Sequence, residues 1–142
     1  MSEAVFPNLN NDNYRVTSNI DHRYNCVAWA YGETSRFFWP IKGSYWPANI
    51  TREETIGAFI ELFASIRYCL CDNHLFEHGY EKVAIYVLDG MPTHTARQLP
   101  TGKWTSKLGL DIDIEHDSPD VLNGPQYGSA SIFMKRKLDD IC

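Results

Sequence analysis

The chain has 142 residues, a hydrophobic fraction of 44% and a net charge of −5, values that fit one domain with a single core. Its acidic balance argues against nucleic-acid and anionic-membrane binding, because both need a basic surface. No apolar run approaches the roughly 18 residues of a membrane span, and the first residues lack a signal-peptide pattern. We therefore expect a cytoplasmic monomer, with export by a signal-peptide-independent route left open.

Residues 1–23 are polar and aperiodic, and they predict an irregular arm. The next run, Tyr-Asn-Cys-Val-Ala-Trp-Ala, predicts a short helix over 26–31 that begins at Cys26. A helix N-terminus presents free N–H groups and a positive dipole end, which favour thiolate over thiol. Cys26 is therefore a candidate nucleophile. The backbone N–H of Cys26, with Asn19 or Asn25, could bind an oxyanion, although Asn25 could equally cap the helix.

Two aromatic-proline units follow, at 37–40 and 44–47. Because proline fixes φ and aromatic rings need burial, the units predict an ordered loop, either a lid over the core or the wall of a substrate cleft. The candidate substrate-binding residues are Trp39, Trp46, Trp104 and Asn25. Farther on, Thr51 and Glu54 form a capping box, and apolar residues at helical spacing predict a helix over 52–69.

From Lys82 the apolar period changes to two. This pattern predicts strands, with a short helical turn between the last two that begins at Ser118; the strands are expected at 83–87, 93–99, 103–108, 110–115 and 129–136. Helices followed by an antiparallel meander indicate an α+β domain over 1–142 with a charged tail at 137–142.

The hairpin around 100–102 places His94 on a strand face that also carries Gln98 and Ser106. The opposite face, with Thr95 and Lys107, is predicted to be solvated. An inward histidine needs a hydrogen-bond partner, so Ser106 or Gln98 could hold one ring nitrogen and leave the other for a thiol. The alternative is a histidine that simply satisfies its bonds in the core.

Metal and cofactor chemistry have little support. The four cysteines, expected to be free thiols, lack zinc-site spacing; they are Cys26, Cys69, Cys71 and Cys142. His116 ends a strand beside Asp111, Asp113 and Glu115, which indicates a weak metal site or an exposed sheet edge. We expect no metal and no cofactor.

The layout and the blocks Tyr-Asn-Cys-Val-Ala-Trp-Ala, Lys-Val-Ala-Ile-Tyr and Thr-His resemble a compact papain-like domain of the NlpC or CHAP amidase type. Over most of 24–136 the chain also resembles a family of small uncharacterised bacterial proteins. In NlpC-type enzymes the base histidine begins the strand where this chain has Lys82. The resemblance therefore implies either that His94 is the base or that the base is lost.

Two functions remain open from the sequence. The first is a cysteine hydrolase that acts on an amide of a peptide or protein, a peptidoglycan amidase or a deamidase-type effector, with Cys26 as nucleophile and His94 as base, assisted by Ser106 or Gln98. The second is a non-enzymatic binding protein, such as an immunity protein, an inhibitor or an anti-defence protein, on a degenerate papain-like scaffold.

Overall fold

The computed structural model describes residues 6–108 and 112–138. Within them, two short helices pack on one antiparallel sheet of seven strands, so the predicted α+β class is confirmed at this level. The helices are α1 (Cys26–Tyr31) and α2 (Ile56–Ala64), and a 3₁₀ turn covers Pro119–Leu122. The strands are β1 (Tyr14–Val16), β2 (Cys69–Cys71), β3 (Tyr80–Leu88), β4 (Met91–Gln98), β5 (Trp104–Lys107), β6 (Asp113–His116) and β7 (Ser129–Lys137).

The strand order is β1-β6-β5-β4-β3-β7-β2. Strands β3 to β6 form the predicted meander, and the N–H of Leu99 donates to the carbonyl of Lys103 at 2.7 Å, as the predicted hairpin register requires. β7 returns to the far side of β3. The two edge strands were not predicted, because three residues are too few to show an alternating pattern.

The sheet is covered on both faces. One face of the sheet packs against α1 and α2. It is formed by Val83, Ile85, Thr95, Arg97, Thr105, Lys107 and Met134. The opposite face is covered by the N-terminal arm and the 3₁₀ turn, and it is formed by Ala84, Tyr86, His94, Ala96, Gln98, Trp104, Ser106, Ile114 and His116. The prediction that Thr95 and Lys107 face solvent is wrong, because α1 buries that face.

Helix α2 is shorter than predicted at both ends. Its N-cap is Thr55, whose hydroxyl accepts from the N–H of Ala58, while Thr51 instead donates to the Glu61 carboxylate from outside the helix. The helix ends at Ala64, and Arg67 adopts a left-handed φ of 76° before β2 begins. The capping-box prediction is wrong, because the helix begins at Ile56 and Thr51 lies outside it, where its N–H and hydroxyl both donate to Glu61.

Among the described cysteines, Cys26 and Cys71 are free, as expected, whereas Cys69 is disulfide-bonded. The expectation of a free thiol is therefore wrong for Cys69. Residues 1–5 of the predicted arm, 110–111 of the predicted fourth strand and 139–142 of the predicted tail lie outside the described residues. No helix in the described part of the chain has the length and apolar character needed to cross a membrane.

Candidate functional site

Cys26 opens α1, as predicted, and Asn25 is the N-cap. The Asn25 side-chain oxygen accepts from the N–H groups of Ala28 (3.2 Å) and Phe38 (3.0 Å), and its amide donates to the carbonyl of Phe38 at 2.7 Å. The Asn25 side chain therefore caps α1 and binds the backbone of Phe38, in the first aromatic-proline unit, to the start of the helix. The Asn25 amide has a second N–H, and Asn25 lines the cavity described below, whereas Asn19 is exposed.

The Cys26 residue is only 5% exposed, and it is held by β4. The Thr95 hydroxyl donates to the Cys26 carbonyl at 3.1 Å. Burial raises the pKa of the thiol to about 11, and it outweighs hydrogen bonds from the backbone N–H groups of Thr95, Val27 and Cys26, which act in the opposite direction. The helix start does supply donors to the sulfur, but the resting group is a thiol and not the expected thiolate.

Cys26 contributes to the wall of an apolar cavity of about 390 Å³. The other lining residues are Asn25, Phe37, Trp39, Ile41, Thr93 and Tyr127. Phe37 and Ile41 are 37% and 43% exposed, so the cavity opens between side chains of the first aromatic-proline loop. Trp39 thus lies beside the candidate nucleophile, where the cleft-wall interpretation placed it, and its indole N–H donates to Glu54 at 2.8 Å.

Three other predicted site residues do not reach this cavity. Trp46 is buried against Phe59 and donates to the Thr51 carbonyl, so it belongs to the core. Trp104 is packed in the core on the other face of the sheet. The Gln98 amide donates to the Gly102 carbonyl at 3.2 Å, which closes the β4–β5 turn and leaves the histidine to another partner.

His94 is fully buried, and Ser106 is the residue that holds it. The Ser106 hydroxyl lies 3.0 Å from His94 Nε2 and 2.8 Å from His116 Nε2. His116 Nδ1 lies 2.9 Å from the carbonyl oxygen of Ser118. His94 Nδ1 has no hydrogen-bond partner, which leaves one ring nitrogen open.

Cys26 packs against β4 at Thr95, next to His94 in the chain, but the two side chains lie on opposite faces of the strand. Thr95 faces α1, so the preceding residue, His94, faces the other core, where its ring lies against Tyr86 and Tyr127. The Thr95 amide that reaches the sulfur follows His94 directly. Because His94 Nδ1 has no partner, the thiol does not donate to it in this state.

Both groups of this pair are neutral. Burial, followed by the repulsion that a protonated His116 would exert, holds the pKa of His94 well below its usual 6.5, while that of Cys26 is about 11. The two pKa shifts therefore act in the same sense, since the raised pKa of the thiol and the lowered pKa of the imidazole both oppose transfer of the proton from Cys26 to His94. The resting protein does not hold a thiolate–imidazolium pair.

Lys82 occupies the strand position that the resemblance assigns to a base. Its buried ammonium donates to the Asn73 carbonyl at 3.1 Å and pairs with Glu77 at 3.0 Å. These contacts fasten the loop before β3 to the sheet. The ammonium of Lys82 therefore has a structural role in holding this loop.

Tyr127 was not predicted as a site residue. Its ring stacks on His94 with a centroid distance of 4.1 Å and an interplanar angle of 8°, and it also lines the cavity. The Thr93 hydroxyl donates to the Tyr127 carbonyl at 2.5 Å. The only signal in the sequence is the following Gly128, which takes a left-handed φ of 76°.

The acidic cluster around His116 is not an exposed edge, since β1 pairs along β6 and His116 is fully buried. The described residues contain no group of three or more potential ligands that could hold a metal ion. Asp111 of the predicted cluster lies outside the described residues.

Residues 15–135 match a family model described as Domain of unknown function (DUF7689). The chain belongs to this family. The matched range includes the residues that line the cavity, the Cys26 helix and the His94–Ser106–His116 cluster. Neither the comparison with curated proteins nor the comparison with solved structures gave a match. No papain-like family is among the findings, so the NlpC-like resemblance stays a hypothesis.

Proposed function

We propose that this protein is a cysteine hydrolase that acts on an amide of a peptide or protein, with Cys26 as nucleophile and His94 as base. One observation carries the proposal: His94 Nδ1 is a buried nitrogen without a partner, one peptide unit from the amide that bonds the Cys26 sulfur. A base needs a free lone pair, and its other nitrogen must be held. Ser106 does the holding here.

The reaction follows from these roles. The thiol proton passes to His94 Nδ1 as the sulfur attacks the carbonyl carbon, and the carbonyl electron pair moves to oxygen beside the Cys26 backbone N–H. Collapse of the adduct expels the amine, which takes the proton from Nδ1 and leaves a thioester. Water then attacks the thioester, gives a proton to Nδ1, and the acid leaves as the sulfur regains its proton.

In this proposal the described conformation is a resting state. Catalytic hydrogen bonds are often long in the absence of substrate and tighten in the complex. A substrate in the cavity would contact both Cys26 and Tyr127, the ring that covers His94. Substrate binding would therefore act on the two groups that must approach each other.

The test is acylation by a surrogate acyl donor, p-nitrophenyl acetate, followed by intact-mass measurement. In a Cys71→Ser background, which removes the other free thiol among the described residues, we expect a single acetyl group on Cys26, lost in Cys26→Ser and formed about 10²- to 10⁴-fold more slowly in His94→Gln. His78→Gln is the matched control, since His78 is exposed. Equal acylation rates in His94→Gln and His78→Gln would exclude His94 as the base.

A second candidate is a binding protein without catalysis, favoured by the absence of a hydrogen bond from the thiol to His94. In this proposal an apolar side chain of a protein partner enters the cavity beside Trp39. The test is an NMR titration with N-acetyl amides of leucine, phenylalanine and lysine. We expect the two apolar amides alone to shift the Cys26 signals, and Trp39→Ala to abolish the shifts; equal shifts from the lysine amide would contradict the proposal.

A further inference from the structure

The buried cluster on β4, β5 and β6 contains three polar side chains in series: His94, Ser106 and His116. All three are fully buried, so water does not compete for their hydrogen bonds. The contacts at each end of the series differ, and this difference fixes the direction of every proton in it.

The direction is set at the Ser118 end. A carbonyl oxygen can only accept, so the 2.9 Å contact requires that His116 Nδ1 carries a proton. A neutral His116 then presents a lone pair at Nε2, and burial, by lowering the pKa of His116 to about 4, keeps the ring neutral. The Ser106 hydroxyl, 2.8 Å away, must donate to that lone pair.

Ser106 has one proton, and it is used toward His116. The contact of 3.0 Å with His94 must therefore be a bond in which His94 Nε2–H donates to the Ser106 oxygen. This arrangement leaves the lone pair of His94 on Nδ1, the nitrogen that has no partner. The reverse arrangement would need protons on both nitrogens of His116, a buried cation.

We propose that His116 is a positioning residue that, through Ser106, fixes His94 in the tautomer with its lone pair on Nδ1. The proposal deepens the proposed function, on which its catalytic meaning rests, because a proton on Nδ1 would remove the base. The tautomer itself can be measured without any substrate, so the two proposals can fail separately.

The experiment is a long-range ¹H–¹⁵N NMR spectrum of the imidazole nitrogens near pH 7. In the wild-type protein we expect His94 as the Nε2–H tautomer and His116 as the Nδ1–H tautomer. In His116→Phe the Ser106 proton loses its acceptor and turns to His94 Nε2, so the His94 proton should move to Nδ1. His22→Phe is the matched control at an exposed histidine and should leave His94 unchanged.

Ser106→Ala provides a second variant if His116→Phe does not fold. It removes the hydroxyl, so His94 should become a mixture of tautomers. An unchanged His94 tautomer in a folded variant, or a wild-type His116 protonated at Nε2, would overturn the proposal. If the tautomers shift as expected while acylation of Cys26 is absent in the wild type, the positioning role stands and the hydrolase proposal fails.

Discussion

The reactivity of Cys26 toward alkylation tests the description of the resting site most directly. With a pKa of about 11, about one thiol in 10,000 is ionised at pH 7, whereas an unfolded cysteine with a pKa of about 8.5 is ionised in about 3% of molecules. The thiolate is the reactive form. The ionised fraction alone therefore predicts alkylation about 300-fold slower in the folded protein than in urea.

The assay uses iodoacetamide and a Cys71→Ser variant, which removes the other free thiol among the described residues. Modification of the Cys26 peptide is measured by mass spectrometry between pH 6 and pH 10.5. We expect the rate to rise about tenfold per pH unit across this range, without a plateau, because the pH stays below the pKa of the thiol.

A plateau near pH 8.5 or below would refute the reasoning from burial. A plateau below pH 7 that disappears in His94→Gln would instead indicate an ion pair already formed in the resting protein. That result would contradict the neutral pair described above, and it would strengthen the hydrolase proposal.

Three further predictions concern stability, each read from chemical denaturation. Burial lowers the pKa of His116 to about 4, so the folded protein resists protonation of this ring and its contribution to the free energy of unfolding is complete above the unfolded pKa of about 6.5 and is lost as the pH falls toward 4. We expect protonation of His116 to lower the free energy of unfolding by about 2 kcal/mol at pH 5. The loss between pH 7 and pH 5 should be smaller in His116→Gln. Gly128→Ala should cost more than about 1 kcal/mol, because a Cβ there collides with the Val87 carbonyl at a positive φ, whereas Gly43→Ala has a positive φ but open space and should cost less; equal losses would exclude the collision. Asn25→Ala should lower the free energy of unfolding by about 2 to 4 kcal/mol, because it removes the helix cap and leaves buried backbone groups of Phe38 without their partner. A loss no greater than about 1 kcal/mol would indicate that only the helix cap contributes to stability.

Local sequence patterns predicted the central strands well, because the apolar run of β3 is typical of a strand buried on both faces and turn residues mark the ends of β4 and β5. They also placed Cys26 at the start of α1. The edges of the sheet depend on pairs far apart in the chain, such as Tyr14 with His116, and no local signal encodes such a pair. For this reason the sequence around His116 indicates a weak metal site or an exposed edge, although the residue is buried.

The aromatic residues show the same limit. The sequence makes Trp39, Trp46 and Trp104 candidates for the wall of a substrate cleft. Of these three, only Trp39 lines the cavity. Trp46 can be buried in the core because its indole N–H donates a hydrogen bond to the Thr51 carbonyl there. A buried tryptophan usually has a hydrogen-bond partner for its N–H, and the tertiary fold decides where such a partner lies.

The relation between Cys26 and His94 depends on one fact that alternation cannot supply, namely which face of β4 the first helix covers. Alternation groups His94 with Ser106 and groups Thr95 with Thr105, and both groupings are present in the structure. Because α1 covers the Thr95 face, the thiol meets the strand through the Thr95 amide and hydroxyl, and the imidazole lies beyond it. The bonds that fix the imidazole are therefore separate from those that fix the thiol. In the proposed mechanism, movement of one group toward the other would therefore leave the His94–Ser106 bond intact.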